Sequence, residues 1–295
     1  MKSLAVGALL ISVFSATAFS QQCDIKTKGF AVVAVEQAKQ RVVIFDSAES
    51  DGYLWQWSAL CDSPSVSALN ASFGNPSDVR VKKDGKILMI CSGGGFAKID
   101  VATCKADYAG VCPSANPHSI EELPDGRIAT ASSDGESVMI IDPREFKFQH
   151  NKQPKKNVLK LESAHGVVWD AKRQSLWAIG STAIVEMAYL PAEMNIKEKG
   201  RYDFLSAGCG KWGHDLLLGD DGLVYFTTHD TVSVFDPSLR TFKVLDNVTC
   251  VKSISFSKHG QMRLKARVKW WTDTITVGEK SIVRPGAKFY KARFF

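Results

Sequence analysis

Three histidines, His118, His165 and His214, occupy matching positions of a recurring segment, 47 and 49 residues apart. Ser77 and Lys252 extend the same column at intervals of 41 and 38 residues. Imidazoles repeated in this way can do two kinds of chemistry. As neutral rings they bind Zn²⁺, Cu²⁺, Mn²⁺ or Fe²⁺ and leave a coordination position open. Because histidine titrates near neutrality, they can also take and return a proton. His118, His165 and His214 are therefore the candidate catalytic set or, alternatively, the ligands of a divalent transition metal. A third use is recognition, with imidazoles and tryptophans presenting hydrogen bonds and a stacking platform to a sugar. The blander alternative is a histidine that merely bonds the backbone of the next repeat. The Ser77 and Lys252 copies, which lack the ring, argue against it.

The elements that position these residues follow from the repeat. One copy begins Asn75-Pro-Ser-Asp-Val-Arg-Val and the next Asn116-Pro-His-Ser-Ile-Glu-Glu. Others start at Ala164-His-Gly-Val-Val-Trp-Asp, Gly213-His-Asp-Leu-Leu-Leu-Gly and Val251-Lys-Ser-Ile-Ser-Phe-Ser. In each, a short strand meets a turn such as Asp84-Gly85, Asp125-Gly126 or Asp221-Gly222, a strong hairpin signal. A second apolar strand, a small loop and a third strand follow: Ile87 to Ile90 then Phe96 to Asp100, or Val224 to Thr227 then Val232 to Asp236. An opening copy, Phe30 to Glu36 then Arg41 to Asp46, makes six. Periods of about 40–50 residues with strand–turn–strand grammar are those of propeller blades. The expected fold is all-β, a six-bladed β-propeller in one domain, with the strand near Lys288 to Phe294 available to close the ring. A β-sandwich also has many short strands but predicts no such repeat.

In a propeller the start of the first strand and the loop after the second lie on one face. His118, His165 and His214 are thus expected at one channel mouth, with Lys252, Asp215, Asp78, His229 and Trp271 as substrate-binding residues. Trp270 and Trp271 alternate if extended, so at most one of them lines a pocket.

The motifs Asn75-Pro-Ser-Asp, Ser92-Gly-Gly-Gly, Ser163-Ala-His-Gly-Val-Val-Trp-Asp, Gly213-His-Asp-Leu, Trp270-Trp-Thr-Asp-Thr-Ile and Gly286-Ala-Lys-Phe-Tyr-Lys-Ala-Arg together resemble an uncharacterised family of secreted microbial six-bladed propellers, a domain of unknown function. The resemblance covers nearly the whole mature chain. It implies the fold and export, and carries no activity.

Lys2, the apolar run Leu4 to Phe14 and the exit Ala18-Phe19-Ser20 read as a signal peptide over residues 1–20, followed by one domain over 21–295. A secreted, extracellular protein without a membrane span is expected, as a monomer. Seven cysteines, Cys23 among them, permit disulfides in that compartment and leave at least one unpaired within a monomer. The sequons at Asn70 and Asn247 suit a glycoprotein in a eukaryotic host. Net charge is +6, and the segment from Lys252 to the terminus carries eleven Lys and Arg against two acidic residues. That bias favours an anionic partner. A uronate-containing polysaccharide fits, bound at the His-lined mouth and, if the site is catalytic, cleaved there by a lyase-like elimination. The alternative is a non-catalytic binding protein for a glycan or host protein. No aromatic-interleaved basic motif for nucleic acid, GxSxG elbow, Walker loop or GxGxxG helix is present.

Overall fold

The computed structural model describes residues 25–146 and 158–295. The expected signal peptide and Cys23 lie outside the described residues. Six four-stranded antiparallel sheets form a six-bladed propeller. Their innermost strands, Pro76–Val81, Pro117–Glu122, Gly166–Asp170, Asp215–Leu218, Val251–Ser257 and Phe289–Phe294, ring the axis. Blades two to six run in chain order from inside to outside. The first blade does not. Its inner strand is the C-terminal Phe289–Phe294, paired with Ala31–Glu36, so the segment Ala31–Glu36 is a second strand rather than a first.

A blade is covered on both sides by its neighbours, which explains the unbroken apolar runs. In Ala31–Glu36 the alternate residues Val33 and Val35 pack toward the second blade, while Val32 and Ala34 pack toward the sixth. Among the described residues there are six apolar clusters, one at each seam. The thinnest, between blades five and six, has only Val232, Val251 and Ile254 fully enclosed. Trp55 and Trp57 fill the seam between blades one and two. The Asp-Gly turns form as expected: Gly85, at φ 75°, donates its amide to the carbonyl of Lys82.

A further device recurs at the inner strands. Pairing skips a residue between Pro76 and Asp78, between Pro117 and Ser119, and between Val251 and Ser253. In blade five the His214 amide bonds Thr227, the residue that Asp215 also opposes. Such bulges turn two consecutive side chains toward the same side. Two residues before each bulge the chain takes a left-handed conformation, at Asn75, Asn116, Ser163, Trp212 and Cys250, with φ between 48° and 62°. Asn tolerates that region; Trp has no local compensation there. Trp212→Asn is therefore expected to raise the free energy of unfolding by about 0.5–1 kcal/mol, read from a urea melt. A loss of stability instead would mean that the edge contact of Trp212 with His229 outweighs the backbone strain.

The six cysteines among the described residues are free thiols, so the disulfide framework expected from export is not formed. Cys91 and Cys112 show why proximity in sequence is not enough: Cys91 packs in the seam between blades one and two, Cys112 in that between two and three. Asn247 is exposed and Asn70 half-buried. No described helix is long and apolar enough to cross a membrane.

Candidate functional site

The bulges gather one residue per blade at a single mouth: Ser77, His118, His165, His214, Lys252 and, from the closing strand, Tyr290. His118, His165, Lys252 and Tyr290 line a cavity of about 450 Å³, with Asn75, Asn116, Ser133, Asp134 and Trp270 at its walls. His118 lies flat on His165, ring centres 4.2 Å apart and planes 10° from parallel. His165 meets His214 nearly edge-on at 5.4 Å. The Tyr290 hydroxyl is 3.2 Å from His118 Nδ1, and Lys252 Nζ is 2.9 Å from His214 Nε2.

Stacking decides against a shared metal. Imidazole ligates in its own plane, and two parallel planes have no common point for an ion. Among the described residues no group of three His, Cys, Asp or Glu is arranged to hold a metal ion. The rings are held neutral instead. Burial pushes the His118 and His214 pKa values well below the usual imidazole range, aided by neighbouring His165 and Lys252 respectively. Burial lowers His165 to about 3 against the opposing hydrogen bond that its Nδ1 donates to the Ser163 carbonyl.

The residues after Ser77, His118, His214 and Tyr290 meet below the mouth, in the channel. Asp78 and Asp215, expected to bind substrate, are there: both fully buried and out of reach of the cavity. They hold a plug of cations. Asp215 Oδ1 lies 2.7 Å from Arg293 and 3.3 Å from Lys291; Asp78 lies 3.2 Å from Arg80 and 3.3 Å from Arg293. Ser119 donates to Asp78, and the Ile254 amide to Asp215. Burial alone would raise Asp78, but Arg80, Lys291 and Arg293 outweigh it and hold the carboxyl at about 2. Three cations against two carboxylates leave one positive charge in excess. Lys291 is the cation next to the mouth, its Nζ 3.1 Å from the His118 carbonyl and 3.4 Å from that of His165.

Lys252 is 9 % exposed, and no carboxylate among the described residues lies within ion-pair distance of it. Burial brings its pKa down to about 8 against the raising effect of Cys250, with a lesser lowering contribution from the ammonium of Lys291. His229 stands behind His214, ring centres 6.3 Å apart, and does not line the cavity. Trp271, the expected stacking residue, lies outside it as well, with Lys288 over its ring. Its neighbour Trp270, 46 % exposed, takes that place, fixed by a hydrogen bond from its indole to Gln37. Tyr290 and Gln37 had no signal in the repeat, since both come from the blade closed by the two ends of the described chain.

A solved structure of a protein of unknown function from Bacteroides caccae is similar over 90% of this chain and 98% of its own, at 9% identity and a TM-score of 0.57. Kuenenia stuttgartiensis hydrazine synthase matches over 69% of this chain at 11% identity and a TM-score of 0.49, and the chain spans only 63% of its length. At 9% identity, the Bacteroides caccae match speaks for the fold alone. No curated protein matches the chain. Residues 6–295 match one family model, and the chain belongs to that family of unknown function, DUF6528.

Proposed function

We propose that this protein is exported and that its His-lined mouth binds an anionic ligand, a uronate-containing polysaccharide being the class that suits it best. The observation that carries this reading is Lys252, a cation facing the cavity with no carboxylate among the described residues to neutralise it, above a plug that is itself positive. A ligand carboxylate supplies the missing partner. The neutral imidazoles offer hydrogen bonds without competing charge, and Trp270 gives a sugar a face to stack on. Asp134 is the one acidic residue lining the cavity, so the carboxylate pair of a glycoside hydrolase is absent there.

Calorimetric titration with oligogalacturonate and oligoglucuronate tests this at low salt. Binding is expected in the wild type, with at least tenfold weakening in Lys252→Met and steady weakening as salt rises. No binding to either, or equal binding by neutral oligosaccharides of the same length, overturns it. Ultraviolet absorption from an unsaturated uronate in the same mixtures would mark the site as a lyase; binding without it marks a binding protein.

A further inference from the structure

The geometry points to Lys252 as a nucleophile, a buried amine that captures the carbonyl carbon of a ligand seated in the mouth as an imine. The ligand class is an aldehyde or ketone that also carries a carboxylate, such as the open-chain reducing end of a uronic acid. The carboxylate rests on the anion-binding reading above; the amine chemistry does not.

Three observations converge on this one residue. Lys252 is the only member of the mouth column with an amine, and it lines the cavity. Lysines elsewhere in the channel and at its far end are ion-paired, Lys291 with Asp78 and Asp215 and Lys82 with Glu121, whereas Lys252 meets no carboxylate among the described residues. Its one polar partner is His214 Nε2 at 2.9 Å. With Nε2 accepting, the imidazole proton sits on Nδ1, which is buried without a partner, so nothing stabilises a positive His214. A neutral acceptor orients one N–H and leaves the nitrogen lone pair free. Burial above all, with the ammonium of Lys291, raises the unprotonated fraction of this amine over that of an ordinary lysine, despite the opposing effect of Cys250.

The step balances without a co-reactant. The Nζ lone pair attacks the carbonyl carbon, the C=O π pair moves to oxygen, and a proton from nitrogen follows to give the carbinolamine. Loss of that hydroxyl as water, with the second N–H proton, leaves C=N. Nothing is oxidised or reduced.

Intact protein at pH 7 with glyoxylate and cyanoborohydride, followed by peptide mass spectrometry, reads the reaction directly. At pH 7 roughly a tenth of an amine with pKa about 8 is free, against well under a thousandth of an ordinary lysine. Lys252 is expected to be alkylated at least tenfold faster than the exposed Lys258 and Lys265. A parallel arm replaces glyoxylate with formaldehyde, which has no charge. Lys252 reacting no faster than the exposed lysines in both arms overturns the proposal, even if uronates bind. Fast reaction with formaldehyde alone upholds the nucleophile and overturns the anionic ligand.

Discussion

Asp215→Asn is expected to lower the free energy of unfolding by about 3–5 kcal/mol, with the fold otherwise retained. The amide keeps the shape of the carboxyl, so the effect isolates charge. It leaves Lys291 and Arg293, 3.3 and 2.7 Å away, buried with Arg80 against the single carboxylate of Asp78. Lys291→Met should be markedly milder, because it removes the surplus cation and leaves two charges of each sign. It still forfeits the hydrogen bonds from Nζ to the His118 and His165 carbonyls, worth about 1 kcal/mol each. Urea unfolding of the three proteins gives the comparison. Equal losses in both variants would show that the plug acts by packing rather than by charge balance.

The second large effect is an early loss of stability on acidification. An unfolded histidine takes a proton near pH 6.5, whereas His165 in the fold resists until about pH 3, and His118 and His214 are likewise depressed. Between those limits the unfolded state holds more protons, so stability falls as pH falls, beginning near 6.5. At pH 5 the loss is about 1–2 kcal/mol for each neutral imidazole. Asp78 contributes separately: its carboxyl, at about 2 in the fold, stabilises fully above the ordinary carboxylate range and loses that contribution only as pH drops toward 2. Urea midpoints at pH 7.5, 6 and 5 should therefore decline before any carboxylate titrates, and a His118/His165/His214 triple Gln variant should flatten the decline. Constant midpoints from pH 7.5 to 5 in the wild type would mean that the rings are already charged in the fold.

The blades were legible in the sequence because each carries its own turn and strand signals, and the histidine column because the period is regular. What lay beyond reach was local geometry superimposed on that period. Strand alternation alone cannot show that a bulge turns His214 and Asp215 to the same side at different depths, so the carboxylates were expected one level too high. The same limit misassigned Trp271: at Val268 to Thr272 the chain makes isolated bridges instead of an extended strand, and Trp270 faces the cavity. The sixth column member, Tyr290, was hidden by order along the chain, since Ala31–Glu36 looks like a first strand and its inner partner is 258 positions away. Cysteines mislead for another reason: seven of them describe a compartment's chemistry, while pairing depends on which seam each one faces.

The closing strand also has a consequence for how the molecule is made. Tyr290, Lys291 and Arg293 belong to the strand that pairs with Ala31–Glu36 across 258 positions, and they supply a wall of the cavity and the centre of its plug. Pairing so distant in sequence forms late and slowly. Until that strand docks, five blades are able to condense but there is no pocket and no sealed axis. A variant lacking residues 289–295 would carry every histidine of the site and still lack the closed cavity.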